Sequence, residues 1–295
     1  MPFGLPNAAA SFQNPVNDTF VDLSDIFVLV YLDDIMVLSS SGEEHAKNVF
    51  SVLQRLGDNN FSSKASKCVF HSSSVEYLGY VVSSDGLKMD SSKFQQILNW
   101  PQQKNIKALQ FFLGFSNFYF HLIKNYSKKI TALTLILNKD SPFIFNEEAL
   151  NKFQLLKESF TTAPILSHFN ASLPTIVETN SSDNSFFALL SQVNESGKHP
   201  IAFDSCKLLP AELSHEAPDK ELLGIVWDFK LWTAYILYFS KPFEVFIDYS
   251  SLQCFMSSKV LTSCQSHLSE FLSEFHFTRA YHPGCLATLK DSLIL

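Results

Sequence analysis

The sequence predicts a mixed α/β protein, with an α+β front section followed by a mixed sheet flanked by helices. Three observations lead there. Residues 28–38 read as two apolar, β-rich runs joined by a tight acidic turn. Residues 43–59 and 91–123 carry apolar positions at helical spacing. From residue 173 the pattern runs three strands, a helix, a strand and short helices before a last strand.

Composition bounds the rest. A length of 295 residues allows two domains or a few smaller ones, and 46% hydrophobic against 17% charged residues describes a folded chain with a sizeable core. No apolar run reaches membrane-span length, and no basic-then-apolar leader opens the sequence, so the expectation is a soluble intracellular protein, cytoplasmic or nuclear, with no membrane partner. Five scattered cysteines, without a Cys-x-x-Cys pair or histidines at zinc spacing, imply free thiols in a reducing compartment. The net charge of −7 is unusual for a chain that grips phosphates, and Arg55 and Arg279 are the only arginines. Lysine can still meet a phosphate, but as a point charge without the bidentate fork.

Taken in order, the hairpin at residues 28–38 holds Asp33 and Asp34 at its tip. Paired carboxylates there are hard oxygen ligands of the kind a two-metal phosphoryl-transfer site uses; an Asp-Asp turn between strands is equally an ordinary turn. The helix at 43–59 presents Ala46, Val49, Phe50, Leu53 and Leu56 on one face and stops at Asp58-Asn59-Asn60. A strand pair follows through Cys68-Val69-Phe70 and residues 77–82, closed by Ser84-Asp85-Gly86. The helical region 91–123 is interrupted at Trp100-Pro101. Asn138-Lys139-Asp140-Ser141-Pro142 is linker-like and leads through Phe143-Ile144-Phe145 to a helix ending near Thr161. Strands at 175–179, 186–192 and 201–205, a long helix at 211–238, a strand at 243–248, short helices and a strand at 278–282 complete the chain.

Several blocks carry a family resemblance. They are Met1-Pro2-Phe3-Gly4-Leu5-Pro6-Asn7-Ala8-Ala9-Ala10-Ser11-Phe12-Gln13, Tyr31-Leu32-Asp33-Asp34, Lys67-Cys68-Val69-Phe70, Tyr77-Leu78-Gly79-Tyr80 and Phe112-Leu113-Gly114-Phe115-Ser116-Asn117-Phe118-Tyr119. In this order and spacing the chain resembles the reverse transcriptase of gypsy-type LTR retrotransposons over essentially its whole length. The resemblance implies a partial palm at 1–82, a thumb at 83–137, a connection at 138–172 and a ribonuclease H-like domain at 173–295. It also implies RNA-directed DNA synthesis and ribonuclease H activity, both Mg²⁺-dependent. The implied partners are an RNA–DNA hybrid or primer–template, with other polyprotein-derived chains.

For the polymerase, the resemblance assigns metal binding to Asp33 and Asp34. The family's third carboxylate stands upstream of the Phe-Gly-Leu block, inside which this sequence begins, so the expectation is a palm that does not polymerise by itself. For the nuclease, the matching positions are Asn180, Glu221, Asp248 and Asp291, of which the three carboxylates are the implied metal ligands. Asn180 stands where the family has aspartate, and an amide offers Mg²⁺ a carbonyl oxygen without charge. Asp183 lies three residues on and points to the opposite face of a continuing strand. Phe187 replaces a small residue beside the site. Without the resemblance, Glu221 reads as a solvated helix carboxylate and Asp248 as a strand-end cap.

Basic positions of the family pattern are also lost. Phe120-His121 stand for Arg-Arg, Cys206 and His282 each stand for Arg, and Cys264 and His267 fall at usually basic positions. Together with Asn180, these are changes expected of cytosine deamination in a silenced element, and each lost arginine removes a phosphate contact. The expectation is a catalytically crippled segment. A dead fold kept for binding nucleic acid or protein, and a relic with no selected role, are the alternatives.

Overall fold

The computed structural model describes residues 7–137, 143–182, 184–237, 239, 241–247 and 263–281. The chain divides into two compact units, Met1–Ser84 and Asp85–Leu295.

In the first unit, helix α1 (Ala8–Phe20) precedes a hairpin of β1 (Val28–Tyr31) and β2 (Asp34–Val37), then helix α2 (Gly42–Asp58). The end of the Phe-Gly-Leu block, from Ala8 on, thus opens a helix. The Ser41 hydroxyl caps α2 by accepting the Glu44 N–H at 3.3 Å, and the Glu44 carboxylate accepts the Ser40 N–H at 2.9 Å. Val16, Phe20, Val28, Val52 and Leu56 form the core of this unit. The apolar face expected for α2 is therefore displaced. Val52 and Leu56 face inward, whereas Phe50 is 69% exposed, because two residues are about 200° of helical rotation. Arg55 is spent locally: its Nη2 donates to Asp22 Oδ2 at 2.6 Å and its Nη1 to Asp22 Oδ1. That partner holds the Asp22 carboxyl below its usual range.

The second hairpin of this unit pairs β3 (Ser74–Tyr77) with β4 (Tyr80–Ser83). Its two-residue turn is Leu78-Gly79, with φ of 51° and 80°, the left-handed pair that matches strand twist. Cys68-Val69-Phe70 is not a strand. It follows a 3-10 turn at Ala65–Lys67 with Val69 and Phe70 exposed, since β-propensity forms nothing without a ladder partner.

The second unit begins with β5 (Gly86–Met89) and helices α3 (Ser91–Leu98), α4 (Ile106–Phe118), α5 (Tyr126–Leu135) and α6 (Glu147–Thr161). Three starts are capped by short polar side chains. Asp90 accepts from Ser92 N–H at 3.1 Å, Asn105 from Ala108 N–H at 2.9 Å and Asn146 from Ala149 N–H at 2.9 Å. Pro101 ends the run of α3, because the residue before proline is driven out of helical geometry. Leu109, Phe112, Leu133, Phe153 and Leu156 are buried between these helices, with the Phe112 and Phe153 rings 4.7 Å apart. β5 is tied to Leu166 by reciprocal backbone bonds of 2.7 and 2.9 Å through Leu87.

The remainder is a five-stranded sheet in the order β10-β9-β6-β7-β8. Strands β6 (Thr175–Ser181), β7 (Ser185–Asn194) and β8 (Gly197–Lys207) are antiparallel neighbours. β9 (Phe243–Ile247) runs parallel to β6, and β10 (Phe277–Tyr281) parallel to β9. Between β8 and β9 come helices α7 (Ala217–Leu231) and α8 (Thr233–Ile236), and α9 (Ser263–Leu272) precedes β10. The long helix expected from 211 starts later: Glu212–Ser214 form a 3-10 turn, and Pro218 sits in the first turn of α7, where its missing N–H is not needed. Val177, Leu190, Leu222, Ile225, Phe229, Phe243 and Val245 make the core between α7 and the sheet. This is the mixed α/β arrangement the alternation of elements predicts. Among the described residues, no helix is long and apolar enough to cross a membrane.

Candidate functional site

Two carboxylates mark the first unit. Tyr31 pairs with Asp34, so the turn proper is Leu32-Asp33 and Asp34 opens β2. Both aspartates are exposed. Leu32 has φ of 53°, an uncommon region for a leucine, and Gln13 Oε1 of α1 accepts its N–H at 2.5 Å. The Gln13 amide in turn donates to Asn17 Oδ1 at 2.5 Å. The hairpin tip is therefore fixed by a side chain from the motif block that precedes it. Tyr77 lies within electrostatic reach; burial first, and the Asp34 charge second, raise its hydroxyl pKa.

In the second unit the structure places Glu221 against the end of β6. Strand β6 alternates: Val177 and Thr179 are buried toward α7, while Glu178 and Asn180 are half-buried on the other face. Asn180 lies opposite Phe187 of β7, and Phe187 is itself half-buried. The crowding expected from Phe187 falls instead on its neighbour Phe186, which is 3% exposed. Glu221 is not a solvated carboxylate. It is 6% exposed, and its Oε1 accepts both the N–H and the hydroxyl of Ser181, each at 2.9 Å.

Further along the same face of α7 come Gly224 and Asp228, three and seven residues beyond Glu221. A Cβ on Gly224 would sit 3.3 Å from the Phe186 ring and 3.5 Å from Thr179 Oγ1, so this glycine lets the helix settle onto the sheet. Asp228 is 1% exposed, and its pKa is raised well above the ordinary carboxylate range. Burial is the main cause, followed by the Asp204 charge, with Glu221 adding to it. The Thr179 hydroxyl is near enough to pull the value back, yet neither it nor either Asp228 oxygen reaches hydrogen-bond geometry. Asp204, 5% exposed on β8, accepts the Trp227 Nε1–H at 2.9 Å. Its pKa is raised by burial and drawn back by that bond and by His121.

Sequence reasoning missed Asp204 and Asp228. The available signal was an acidic residue seven positions from Glu221, amid Leu222, Ile225, Val226 and Phe229 on a helix that must bury a face. Asp248, Asp291 and Asp183 lie outside the described residues. Among the described residues, no group of three or more His, Cys, Asp or Glu is placed to hold a metal ion. Asn180 is uncharged and lies on the face of β6 away from α7, so it is not brought together with Glu221, and the described residues do not fit a two-metal centre.

Comparison with known proteins gives this geometry its context. Residues 1–82 match the family described as reverse transcriptase (RNA-dependent DNA polymerase), and residues 145–245 match the RNase H-like domain found in reverse transcriptase. The Transposon Tf2-3, Tf2-4 and Tf2-7 polyproteins of Schizosaccharomyces pombe are each 31% identical over 296 residues, 99% of this chain. The chain spans 22% of the length of these relatives. A foamy viral protease-reverse transcriptase in complex with ds DNA has a TM-score of 0.78 at 22% identity, covering 95% of this chain and 50% of that one. The same enzyme in complex with an RNA/DNA hybrid gives 0.77 at 22% identity, covering 96% and 39%. At that identity the likeness is one of fold. Residues 1–82 thus carry a reverse transcriptase domain and residues 145–245 an RNase H-like domain of the kind found in reverse transcriptases, and the chain is similar nearly end to end to a segment of the Tf2 retrotransposon polyproteins.

Proposed function

We propose that this is a reverse transcriptase–ribonuclease H segment whose hybrid-cleaving activity is silenced at Asn180. Reverse transcriptase and RNase H families use divalent metal ions. Asp33 and Asp34 are the polymerase positions, and Asn180, Glu221, Asp248 and Asp291 the nuclease positions. Mg²⁺ is the ion these carboxylates would suit, being a hard cation that takes oxygen ligands. Residues 1–82, 83–137, 138–172 and 173–295 correspond to partial palm, thumb, connection and ribonuclease H-like domain.

The observation that carries the reading is an uncharged Asn180 near the end of β6, at the position where the family pattern has aspartate. Loss of one charge from a site that must hold two dications removes a large part of its attractive field. The substrate class is an RNA–DNA hybrid or primer–template, a reading supported by the fold it shares with enzymes captured on ds DNA and RNA/DNA hybrid. With Arg55 committed to Asp22, contacts to phosphate fall mainly to lysines, which meet it as point charges.

The test is incubation of the chain with a labelled RNA–DNA hybrid in Mg²⁺ or Mn²⁺, with binding followed across a salt series. The expected result is salt-sensitive binding of shallow slope and no cleavage. Cleavage by the natural chain would reject the reading.

A further inference from the structure

Helix α2 carries a second apolar seam that the core of its unit does not use. Ala46, Phe50, Leu53 and Gly57 recur at intervals of four, three and four residues, which sets them in one line along the helix. The line lies about a third of a turn round from Val52 and Leu56, the residues that face the core. All four are exposed, Phe50 by 69% and Leu53 by 42%. Single apolar residues scattered on a surface need no explanation, whereas an aligned set at this spacing has the pattern of a helix-pairing seam. We propose that the seam is a docking surface for a second copy of the chain, with the two α2 helices packed antiparallel about a two-fold axis.

The order of the residues selects both the partner and the antiparallel sense. The pairs Ala46–Gly57 and Phe50–Leu53 share one midpoint, between Ser51 and Val52. A two-fold axis through that point sets Phe50 of each copy against Leu53 of the other and Ala46 against Gly57, so large meets large and small meets small. Lys47, Gln54 and Asp58 share one flank of the seam, and all three are exposed. The same axis brings Lys47 of one copy between Gln54 and Asp58 of the other, an opposite-charge contact made twice. Gly57 is an independent indication. A Cβ there would meet nothing within 4 Å, so no neighbour in this chain requires a glycine. Nor does the end of the helix require it, because the left-handed residue beyond α2 is Asn60, at φ of 59°. Glycine inside a helix weakens it, and close approach of another backbone is a reason to keep one. A seam of one helix covers less than the roughly 800 Å² per partner of a standard interface, so the dimer is weak and reversible.

The experiment is sedimentation equilibrium of the full chain from micromolar to submillimolar concentration, with thermal unfolding of the dilute monomer beside it. Four proteins are compared: the natural chain, Gly57→Gln, Lys47→Glu, and Lys47→Glu combined with Asp58→Lys. Glutamine is a better helix former than glycine, and at position 57 it enters open space in the single chain, so the fold is kept while the small–small layer of the pair is overfilled. The expected result is a monomer–dimer equilibrium for the natural chain and a dissociation constant raised about tenfold or more by Gly57→Gln. Lys47→Glu should weaken the dimer by a smaller factor, and the charge exchange with Asp58→Lys should restore it. At dilution Gly57→Gln should melt no lower than the natural chain. A natural chain that stays monomeric throughout would overturn the pairing and leave the seam to a helix of another protein. A dimer untouched by Gly57→Gln would place the association on a different surface and overturn it equally. Failure of the charge exchange to restore pairing would overturn the antiparallel register, and a lowered melting temperature for Gly57→Gln would show that the chain itself needs the glycine.

Discussion

Replacing Asp228 with asparagine is expected to stabilise the second unit relative to the natural chain by an amount that grows with pH. Asp228 is 1% exposed on α7, and its folded pKa is raised well above the 3.8 it has when unperturbed, by burial first and then by the Asp204 and Glu221 charges. Below pH 3.8 the group is neutral in both folded and unfolded chains and ionisation costs nothing. Above it, the unfolded chain releases the proton and the folded chain retains it. Stability therefore falls as pH rises, by up to about 1.4 kcal/mol per pH unit, until the folded pKa is reached. Asparagine has no proton to release, so the difference between variant and natural chain should climb with that slope across the same interval. The absolute offset at low pH reports only how the buried amide is accommodated; the slope carries the test. Trp100, Trp227 and Trp232 all lie in the second unit, so denaturant titrations followed by tryptophan fluorescence from pH 4 to pH 7 read it directly. A difference that stays constant with pH would refute the reasoning, because it would mean that Asp228 ionises alike in both states.

Three further outcomes follow from particular contacts. Phe229→Ala removes a fully buried ring that lies 5.4, 4.9 and 5.2 Å from the rings of Phe243, Phe275 and Phe277; a loss of about 3–5 kcal/mol in chemical denaturation is expected, and under 1 kcal/mol would contradict the packing. Gly86→Ala would place a Cβ 2.1 Å from the Leu166 carbonyl oxygen at φ of 133°, so more than about 2 kcal/mol should be lost, and an unchanged melting curve would show that the β5–Leu166 bridge is not formed. Burial, helped by the Lys124 charge, lowers Lys129 to about 8, so its acylation rate should level off near pH 8 in a mass-spectrometric labelling series; a tenfold rise per unit through pH 9 would contradict it.

Much of this fold is legible from periodicity and punctuation. The β1–β2 hairpin shows as two apolar runs about an acidic turn, and α4 and α6 begin where asparagine precedes a helical pattern. Other features depend on distant partners. Cys68-Val69-Phe70 has strand composition but, among the described residues, pairs with no strand, and nothing local says so. The inward face of α2 is chosen by α1 and the hairpin, which select Val52 and Leu56 over Phe50. At the site, Asn180 and Glu221 were legible only through the family pattern. Their relation was not, since the contact to Glu221 comes from Ser181, 40 residues away in sequence. Asp204 and Asp228 belong to different elements and become a pair of buried acids only when α7 packs on the sheet.

The most direct test of the central claim is cleavage of an RNA–DNA hybrid in Mg²⁺ and in Mn²⁺ by the natural chain beside its Asn180→Asp variant. Silencing at Asn180 requires that the natural chain leave the hybrid intact and that restoring the carboxylate at 180 bring cleavage back. Cleavage by the natural chain at the rate of its Asn180→Asp variant would contradict the account, because Asn180 would then not be what closes the site.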